Sequence, residues 1–462
     1  MTRLPRKIKI FYALGQLGWS ILASIIGTWL MYFYLPPEGA GINVVIPQGG
    51  IFLGITVIGL VMGFGILIDA ITDPWIANLS DKSKHPLGRR IPFMRKSALP
   101  FIILFVLVFF APFQSGIYAL NSIWLLIILP LYYVAFTAYV IPYTALLGEL
   151  GSTTEDRIDL STYISITWFL GLVIATLSPN IWEALMSIFD MQKTTAIRLT
   201  FTMLAVLAFV LMLIPAYTID EKKYSKAMPS SHDMKSSLKA VFKNINFRYF
   251  LYSEFGYWLS NGFFQATLVY YITVLALQKE SSVGVVVTAV GVLSFIQYPL
   301  VNRLSKKYGK KNLMILSFFL LIISFVYVAF IGMFPFDGFV QLIPVIVLIS
   351  VPSAITGVLP NAIIADCAAY DACTTGENRE GMYFGTRSFL NKVGGTLAVI
   401  ILPSILAIGK STENDIGIRV SAIVAAVVVV LSLISFLKYD EKGVLSTIKN
   451  FDNKEIHSYD TK

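Results

Sequence analysis

Two aspartates stand in a long apolar stretch of the sequence. Asp69 and Asp73 are four residues apart, so they lie on one face if the stretch is helical. Two close carboxylates in a low-dielectric site cannot both stay charged unaided, so they take up a hard cation such as sodium or share a proton. The spacing predicts a cation site. The alternative is a structural pair neutralised by a basic residue of a neighbouring helix.

The composition indicates that these acids lie in a membrane. Of the 462 residues, 56% are hydrophobic and only 14% are charged, too few charges to cover a soluble protein of this size. The net charge of +9 sits in short loops between apolar runs, which favours an anionic lipid surface over nucleic acid. The sequence contains two cysteines and no motif for a metal, a nucleotide or a nucleophile–base pair, so we predict neither an enzyme nor a cofactor other than the coupling ion.

Apolar stretches of membrane-spanning length predict about twelve transmembrane helices in an all-α membrane protein. The first is predicted to be a retained helix rather than a signal peptide. The predicted spans are 10–34, 51–79, 97–113, 118–147, 159–179, 198–217, 247–276, 283–301, 312–334, 338–367, 384–409 and 416–437. The predicted organisation is an N-terminal six-helix bundle (1–217), a central loop (218–246), a C-terminal six-helix bundle (247–437) and a mobile polar tail (438–462).

Loops rich in lysine and arginine alternate along the chain with loops that lack them, and this pattern predicts the orientation of the protein in the membrane. The N-terminus, the loop after the second span, the central loop and the loop after the eighth span are basic, whereas the loops 35–50 and 114–121 contain no lysine or arginine. The basic loops should face the cytoplasm, with both chain termini on that side of a bacterial inner membrane.

A weak repeat supports the division into two bundles. The second span ends in NLSDKSKHPLGRR and the eighth in NRLSKKYGKKN, each a polar turn with a glycine and a basic pair. Two related six-helix halves are typical of secondary transporters, with the substrate site at the bilayer midplane. The alternative is that the positive-inside rule alone produces both basic loops.

Three stretches extend this pattern to a known family: Asp69 to Pro74 with the following GRR loop, AYVIPYTALL at 138–147, and ADCAAYDACTTGENREGMYFGTRSFLNKVGG at 365–395. The chain resembles the major facilitator superfamily, and more closely its glycoside–pentoside–hexuronide cation symporters, which include the melibiose permeases. The resemblance implies two pseudo-symmetric bundles and symport of a sugar with sodium or a proton by a monomer. It also implies that Asp69 and Asp73 bind the ion with the hydroxyl of Thr137, and that Lys392 faces these acids. The alternative for Lys392 is that it snorkels to the cytoplasmic face.

The sequence departs from the family at the substrate site. Galactoside symporters have aspartates in the first and fourth spans and an arginine in the fifth, where this chain has Ser20, Val140 and Ile164. Because sugar hydroxyls need matched partners, the substrate is not held as a galactoside is. We expect a polar and aromatic cavity lining instead, with membrane-interface anchoring as the alternative for the aromatic residues. The candidate substrate-binding residues are Gln16, Trp19, Ser20, Tyr139, Tyr143, Trp258, Asn261, Gln265 and Asn361, with Tyr32, Glu254 and Gln297 as further polar positions.

Charged residues at the predicted cytoplasmic face are candidates for gating. They are Asp81, Arg89 and Arg90 in the first half, and Asp366, Asp371, Glu377, Arg379 and Glu380 in the second. Pairs between these groups would close the cytoplasmic side and break as the halves move. The alternative is a solvated loop face.

The sequence therefore predicts a cation-coupled sugar or glycoside symporter that works by alternating access. Its partners would be the small-molecule substrate, the cation and the bilayer. The alternative within transport is a carrier of a lysolipid or another amphiphile, because the sugar-binding acids of the family are absent. A receptor is disfavoured, since it has no use for paired acids inside the bilayer.

Overall fold

The computed structural model is almost entirely helical. The residues it describes are 4–52, 54–114, 116–150, 154–224, 241–376 and 380–459. A lipid-embedded backbone must satisfy its own N–H and C=O groups, and long helices do this within one segment.

The first half of the described chain contains eight helices, α1 to α8, and one short hairpin. The helices are Arg6–Tyr34, Val57–Asp81, Ile91–Val108, Ala119–Leu150, Thr154–Thr176, Ser178–Phe189, Lys193–Thr218 and Glu221–Tyr224. The antiparallel hairpin strands β1 and β2 are Gly50–Phe52 and Ile55–Thr56.

The second half of the described chain contains seven helices, α9 to α15. They are Ile245–Tyr270, Ser282–Tyr308, Lys310–Ala329, Gly338–Thr375, Glu380–Leu406, Ile416–Leu437 and Glu441–Tyr459. The last turn of α9 runs on into a π-helical segment, Tyr271–Leu275.

Each of the twelve predicted spans corresponds to a helix of the structure. By length and composition, eleven segments of the described chain could cross a membrane, and α9 is not one of them. α9 contains the polar side chains of Arg248, Glu254 and Asn261. The same side chains make it a candidate for lining a polar site.

The structure differs from the sequence-based spans at the start of α2 and after α5, and it adds a helix in the tail. The second span begins at Val57 and not at 51, because the β1–β2 hairpin occupies its predicted start and Thr56 caps α2 by accepting from Gly59 N at 3.3 Å. The prediction also missed α6, which follows α5 almost directly. The tail forms the helix Glu441–Tyr459, and its predicted mobility stays a prediction.

The chain forms two compact units that interleave along the sequence. The first contains Met1–Pro229, Gln265–Val287 and Val399–Gly417, and the second contains Ser230–Phe264, Thr288–Ala398 and Ile418–Lys462. The predicted six-plus-six division stays a prediction, because these units assign two short segments of the second half to the first unit.

Within the first unit, glycines allow helices to approach closely. α1 packs chiefly on α5 and α7, and α4 on α2 and α3. A Cβ on Gly18 of α1 would lie 2.7 Å from the backbone oxygen of Ala208, and one on Gly65 of α2 would lie 2.9 Å from the Tyr133 ring. These positions bring α1 against α7 and α2 against α4, and the second contact positions the acidic pair.

Lys410 makes the stability of the first unit depend on pH. It lies in the loop between α13 and α14, and its Nζ donates to Gln48 Oε1 at 2.7 Å. Burial lowers the pKa of Lys410 from 10.5 to about 8, although the charge of Glu38 opposes this effect. Because the unfolded chain then binds more protons than the fold, stability should rise as the pH increases from about 8 towards 10.5. Thermal unfolding of the wild type in detergent should show this rise and Lys410→Met should not; equal pH profiles would contradict the prediction.

Candidate functional site

The acidic pair and Thr137 form one cluster in the first unit. The Thr137 hydroxyl on α4 donates to Asp69 Oδ1 at 2.7 Å. Asp73 Oδ1 lies 3.3 Å from the same Thr137 hydroxyl oxygen. Asp69 and Thr137 are buried and Asp73 is half-buried. The neighbouring Thr72 hydroxyl donates to the backbone oxygen of Ile68 at 2.9 Å, so it is used within the helix. The structure thus brings together the three side chains that the sequence predicted as a cation site.

This cluster has the ligands of a hard monovalent cation. It offers two carboxylates and a hydroxyl from two helices, and oxygen ligands with anionic charge suit sodium. The same carboxylates can take a proton when the cation is absent. The geometry is therefore compatible with either coupling ion.

Lys392 lies on α13, in the second unit. It is half-buried, and its backbone oxygen accepts from the Thr396 hydroxyl at 2.7 Å. Its proposed contact with the acidic pair stays a prediction.

Of the first-unit substrate candidates, Trp19 is the strongest. Its indole is buried against the rings of Phe136, Tyr143 and Trp168, and the indole N–H has no hydrogen-bond partner among the described residues. Gln16 is buried one turn earlier on the same helix. An unpaired buried donor beside aromatic rings is suited to donate a hydrogen bond to an oxygen of a ligand.

Tyr139 and Tyr143 use their hydroxyls to join helices. Tyr139 donates to the backbone oxygen of Met212 at 2.8 Å. The Tyr143 hydroxyl donates to the backbone oxygen of Tyr12 at 2.6 Å, and the Tyr12 hydroxyl donates to the backbone oxygen of Tyr143 at 2.8 Å. The two rings stack on each other. These hydroxyls hold α4 against α1 and α7, so a ligand would meet ring faces or edges rather than hydroxyls.

Ser20 sits at the closest approach of α1 and α5. It is fully buried, and its hydroxyl donates to the backbone oxygen of Leu17 at 3.0 Å with the Thr167 oxygen at 3.4 Å. A Cβ on Gly171 would lie 2.0 Å from Ser20 Oγ. The hydroxyl is therefore part of a helix crossing.

Introducing the aspartate of the galactoside symporters at this position should destabilise the protein. Ser20→Asp places a carboxylate against two carbonyl oxygens, and an unpaired buried charge costs about 3–5 kcal/mol. Ser20→Ala keeps the packing and should unfold within a few degrees of the wild type in detergent. Wild-type stability of Ser20→Asp would show that the position faces water.

The second unit contains a charged cluster that the sequence reading found only in part. Arg387 Nε on α13 donates to Glu254 Oε2 on α9 at 2.8 Å, and Arg387 Nη1 donates to Asn361 Oδ1 on α12 at 2.8 Å. With its amide oriented to satisfy both neighbours, Asn391 accepts from Trp258 Nε1 at 2.9 Å and donates to the Arg387 oxygen at 3.2 Å.

Sequence reasoning missed Arg387. The detectable signal was a lone arginine near the start of a predicted span, at a position expected to need an acidic partner such as Glu254. Of the remaining candidates on α9, Asn261 is half-buried and Gln265 is exposed. The structure links Glu254 and Trp258 to this cluster, and it shows no such link for Asn261 or Gln265.

The gating candidates of the first half have partners within their own unit. Arg90 forms an ion pair with Asp81, and its Nε also donates to Glu149 Oε1 at 3.0 Å. Arg89 donates to the same oxygen at 3.0 Å. Glu221 accepts from the backbone N–H groups of Arg89, Arg90 and Ile91 at 2.6–2.9 Å and so caps α3.

The second half repeats this arrangement. Lys310 pairs with Asp366, and Glu441 accepts from the backbone N–H groups of Lys310 and Lys311 at 2.7 and 3.0 Å. The repeat is visible in the sequence as Asp-Glu-Lys at 220–222 and again at 440–442, a signal not used in the prediction. Asp371 is buried on α12, whereas Arg379 lies outside the described residues, as does Glu377. Pairing between the two halves stays a prediction.

These features are those of a polytopic membrane protein with a cluster of oxygen ligands between two helices. The family model of MFS/sugar transport proteins matches residues 11–438, so the chain belongs to this family of the major facilitator superfamily. This assignment confirms the predicted fold class, the family resemblance and the prediction of a transporter rather than an enzyme.

Three known proteins show the extent of the similarity. The isoprimeverose transporter of Lactiplantibacillus pentosus is 24% identical over 419 residues, covering 89% of this chain and 82% of that protein. The uncharacterized symporter YnaJ of Bacillus subtilis (strain 168) is 23% identical, covering 97% and 95%. The crystal structure of the nucleoside transporter NupG superposes with a TM-score of 0.62 at 15% identity, covering 94% of this chain and 99% of that one.

Proposed function

We propose that this protein is a symporter that couples the movement of a sodium ion or proton to that of a sugar or glycoside by alternating access. The observation that carries the coupling is the convergence of Asp69, Asp73 and Thr137 on one point between α2 and α4. The similarity to an isoprimeverose transporter supports a glycoside as cargo.

In this proposal the ion binds first. A cation between the two carboxylates removes their repulsion, which fixes α2 against α4 and raises the affinity for the sugar. Lys392 would release its contact with the acids as the cation arrives. The bacterial inner membrane, the cytoplasmic termini and the monomeric state belong to the same proposal.

The test is gradient-driven uptake into proteoliposomes. Radiolabelled isoprimeverose, melibiose, glucuronate and lysophosphatidylcholine are each offered with an inward sodium gradient, an inward proton gradient or no gradient, beside protein-free vesicles. A tenfold ion gradient stores about 1.4 kcal/mol, so one-to-one coupling should accumulate a sugar up to about tenfold. Accumulation of a sugar under one gradient supports the proposal and identifies the ion. Movement of the lysolipid alone would favour the amphiphile carrier, and equilibration without accumulation would exclude symport.

A further inference from the structure

The ion pair of Glu254 and Arg387 joins α9 and α13, two of the helices predicted to span the membrane, within the second unit. Glu254 is nine residues from the start of α9 and Arg387 seven from the start of α13. At 1.5 Å per residue these positions lie about 13 and 10 Å along their helices. Asn361 joins the pair from α12, so three helices contribute one polar group each.

Stability does not explain this cluster. Two charges removed from water cost several kcal/mol each, and a buried ion pair usually contributes no more than apolar residues of equal volume. Intramembrane charges are therefore kept where they have a function. The Glu254 side chain is 1% exposed and that of Arg387 16% exposed, and Asn361 is exposed. Because lipid cannot solvate the exposed amide and guanidinium, we infer that they border a water-filled space.

The cluster has unused hydrogen-bonding capacity of both kinds. Glu254 Oε1 is buried and accepts no hydrogen bond of good geometry from the described residues, although Trp258 and Asn391 lie close enough to interact with the carboxylate. Arg387 donates to Glu254 through Nε and to Asn361 through Nη1, and its guanidinium has five N–H groups in total. Asn361 accepts through Oδ1, so its amide N–H groups remain as donors. An acceptor beside several donors complements a hydroxyl, which both donates and accepts.

The charge balance favours a neutral ligand over an anionic one. Glu254 neutralises Arg387 at 2.8 Å, so an incoming carboxylate or sulfonate would meet a like charge beside its partner. The half-buried indole of Trp258, on the same helix as Glu254, offers an apolar ring face of the kind that packs on a pyranose.

We propose that Glu254, Arg387 and Asn361, flanked by Trp258, form a subsite for the hydroxyl groups of a neutral sugar. This inference rests on the proposed sugar symport and specifies where the second unit takes part in recognition. The carboxylate accepts from one hydroxyl, and the guanidinium and the amide donate to its neighbours. The subsite supplies charged partners for sugar hydroxyls in a chain with Ser20, Val140 and Ile164 at the galactoside-binding positions.

The test is ligand-induced thermal stabilisation of the purified protein in detergent. Wild type, Glu254→Gln, Arg387→Lys and Asn361→Ala are titrated with isoprimeverose, xylose, melibiose and glucuronate, and separately with sodium chloride against choline chloride. Glu254→Gln keeps the size of the side chain and an acceptor for Arg387, and Arg387→Lys keeps the charge but loses the planar fork. Glu413→Gln, an exposed position in the loop before α14, is the matched control.

A neutral sugar should stabilise the wild type and the control. Its half-saturating concentration should rise at least about tenfold in all three cluster variants, the loss of one hydrogen bond to a charged group. The response to sodium should be unchanged in these variants, which separates a failed subsite from a failed ion site.

Three results would overturn the inference. Equal sugar affinity in all the variants would exclude the subsite and leave sugar symport standing. Stabilisation by glucuronate alone would make the ligand anionic. Absence of a response to every sugar in the wild type would exclude the subsite together with the sugar cargo, while the sodium response would still report on the cation cluster.

Discussion

Asp69→Asn should abolish accumulation of substrate while leaving the protein folded. Asp69 is the buried carboxylate of the cluster and accepts from Thr137 at 2.7 Å, and asparagine keeps this acceptor but removes the charge. One interaction with a charged group is worth about 1.5–3 kcal/mol, so the affinity for the coupling ion should fall about tenfold to hundredfold. The variant should exchange labelled for unlabelled substrate across the membrane and should not concentrate it.

Four further variants test whether the loss of accumulation comes from the ion cluster. Asp73→Asn should act in the same direction but less strongly, because Asp73 is half-buried and lies 3.3 Å from the hydroxyl. Thr137→Ser keeps the hydroxyl and should retain coupling, whereas Thr137→Val should not. Asp190→Asn makes the same chemical change at an exposed left-handed position that asparagine tolerates, and should transport normally. If Asp69→Asn still accumulates substrate under an ion gradient, the acidic pair is not the coupling site.

Gly88→Ala should prevent the first unit from folding stably. Gly88 has a φ of +112°, and an added Cβ would lie 2.3 Å from Glu221 Oε2. That carboxylate accepts from three backbone N–H groups at the start of α3. A methyl group here makes the left-handed backbone conformation unfavourable, which should lower the free energy of unfolding by about 1–2 kcal/mol. It also displaces the Glu221 cap, which should lower it by about a further 1–3 kcal/mol. Little monodisperse protein should be recovered, and what remains should unfold at a lower temperature.

Two other glycines separate these effects. Gly39 also has a positive φ, +78°, but a Cβ there meets nothing within 4 Å, so Gly39→Ala measures the backbone cost alone. Gly27 lies within α1 with open space around it, so Gly27→Ala should be neutral or stabilising. The order of unfolding temperatures should be Gly27→Ala, then Gly39→Ala, then Gly88→Ala. Equal stability of the last two would mean that the Glu221 cap contributes little.

The sequence alone determined the membrane class, the approximate number of long apolar helices and the shared face of the two acids. Apolar runs of spanning length have few structural solutions in lipid, because the backbone must satisfy itself within each segment. The spacing of Asp69 and Asp73 placed both on one face of α2, and the structure confirms that face to be the one turned towards Thr137. A family resemblance was needed to single out Thr137, because a lone hydroxyl in a helix carries no positional signal.

Only the tertiary structure decided which polar residues are available to a ligand. In the sequence, Ser20, Tyr139 and Tyr143 look like cavity residues, but their hydroxyls bond backbone oxygens at helix crossings. Arg387 stands near the start of a predicted span without a visible partner, but it forms an ion pair with Glu254, 133 positions away in the sequence. The sequence does not show whether a hydroxyl, an indole or a guanidinium packs, caps a helix or binds a ligand, because its partners on other helices determine its role.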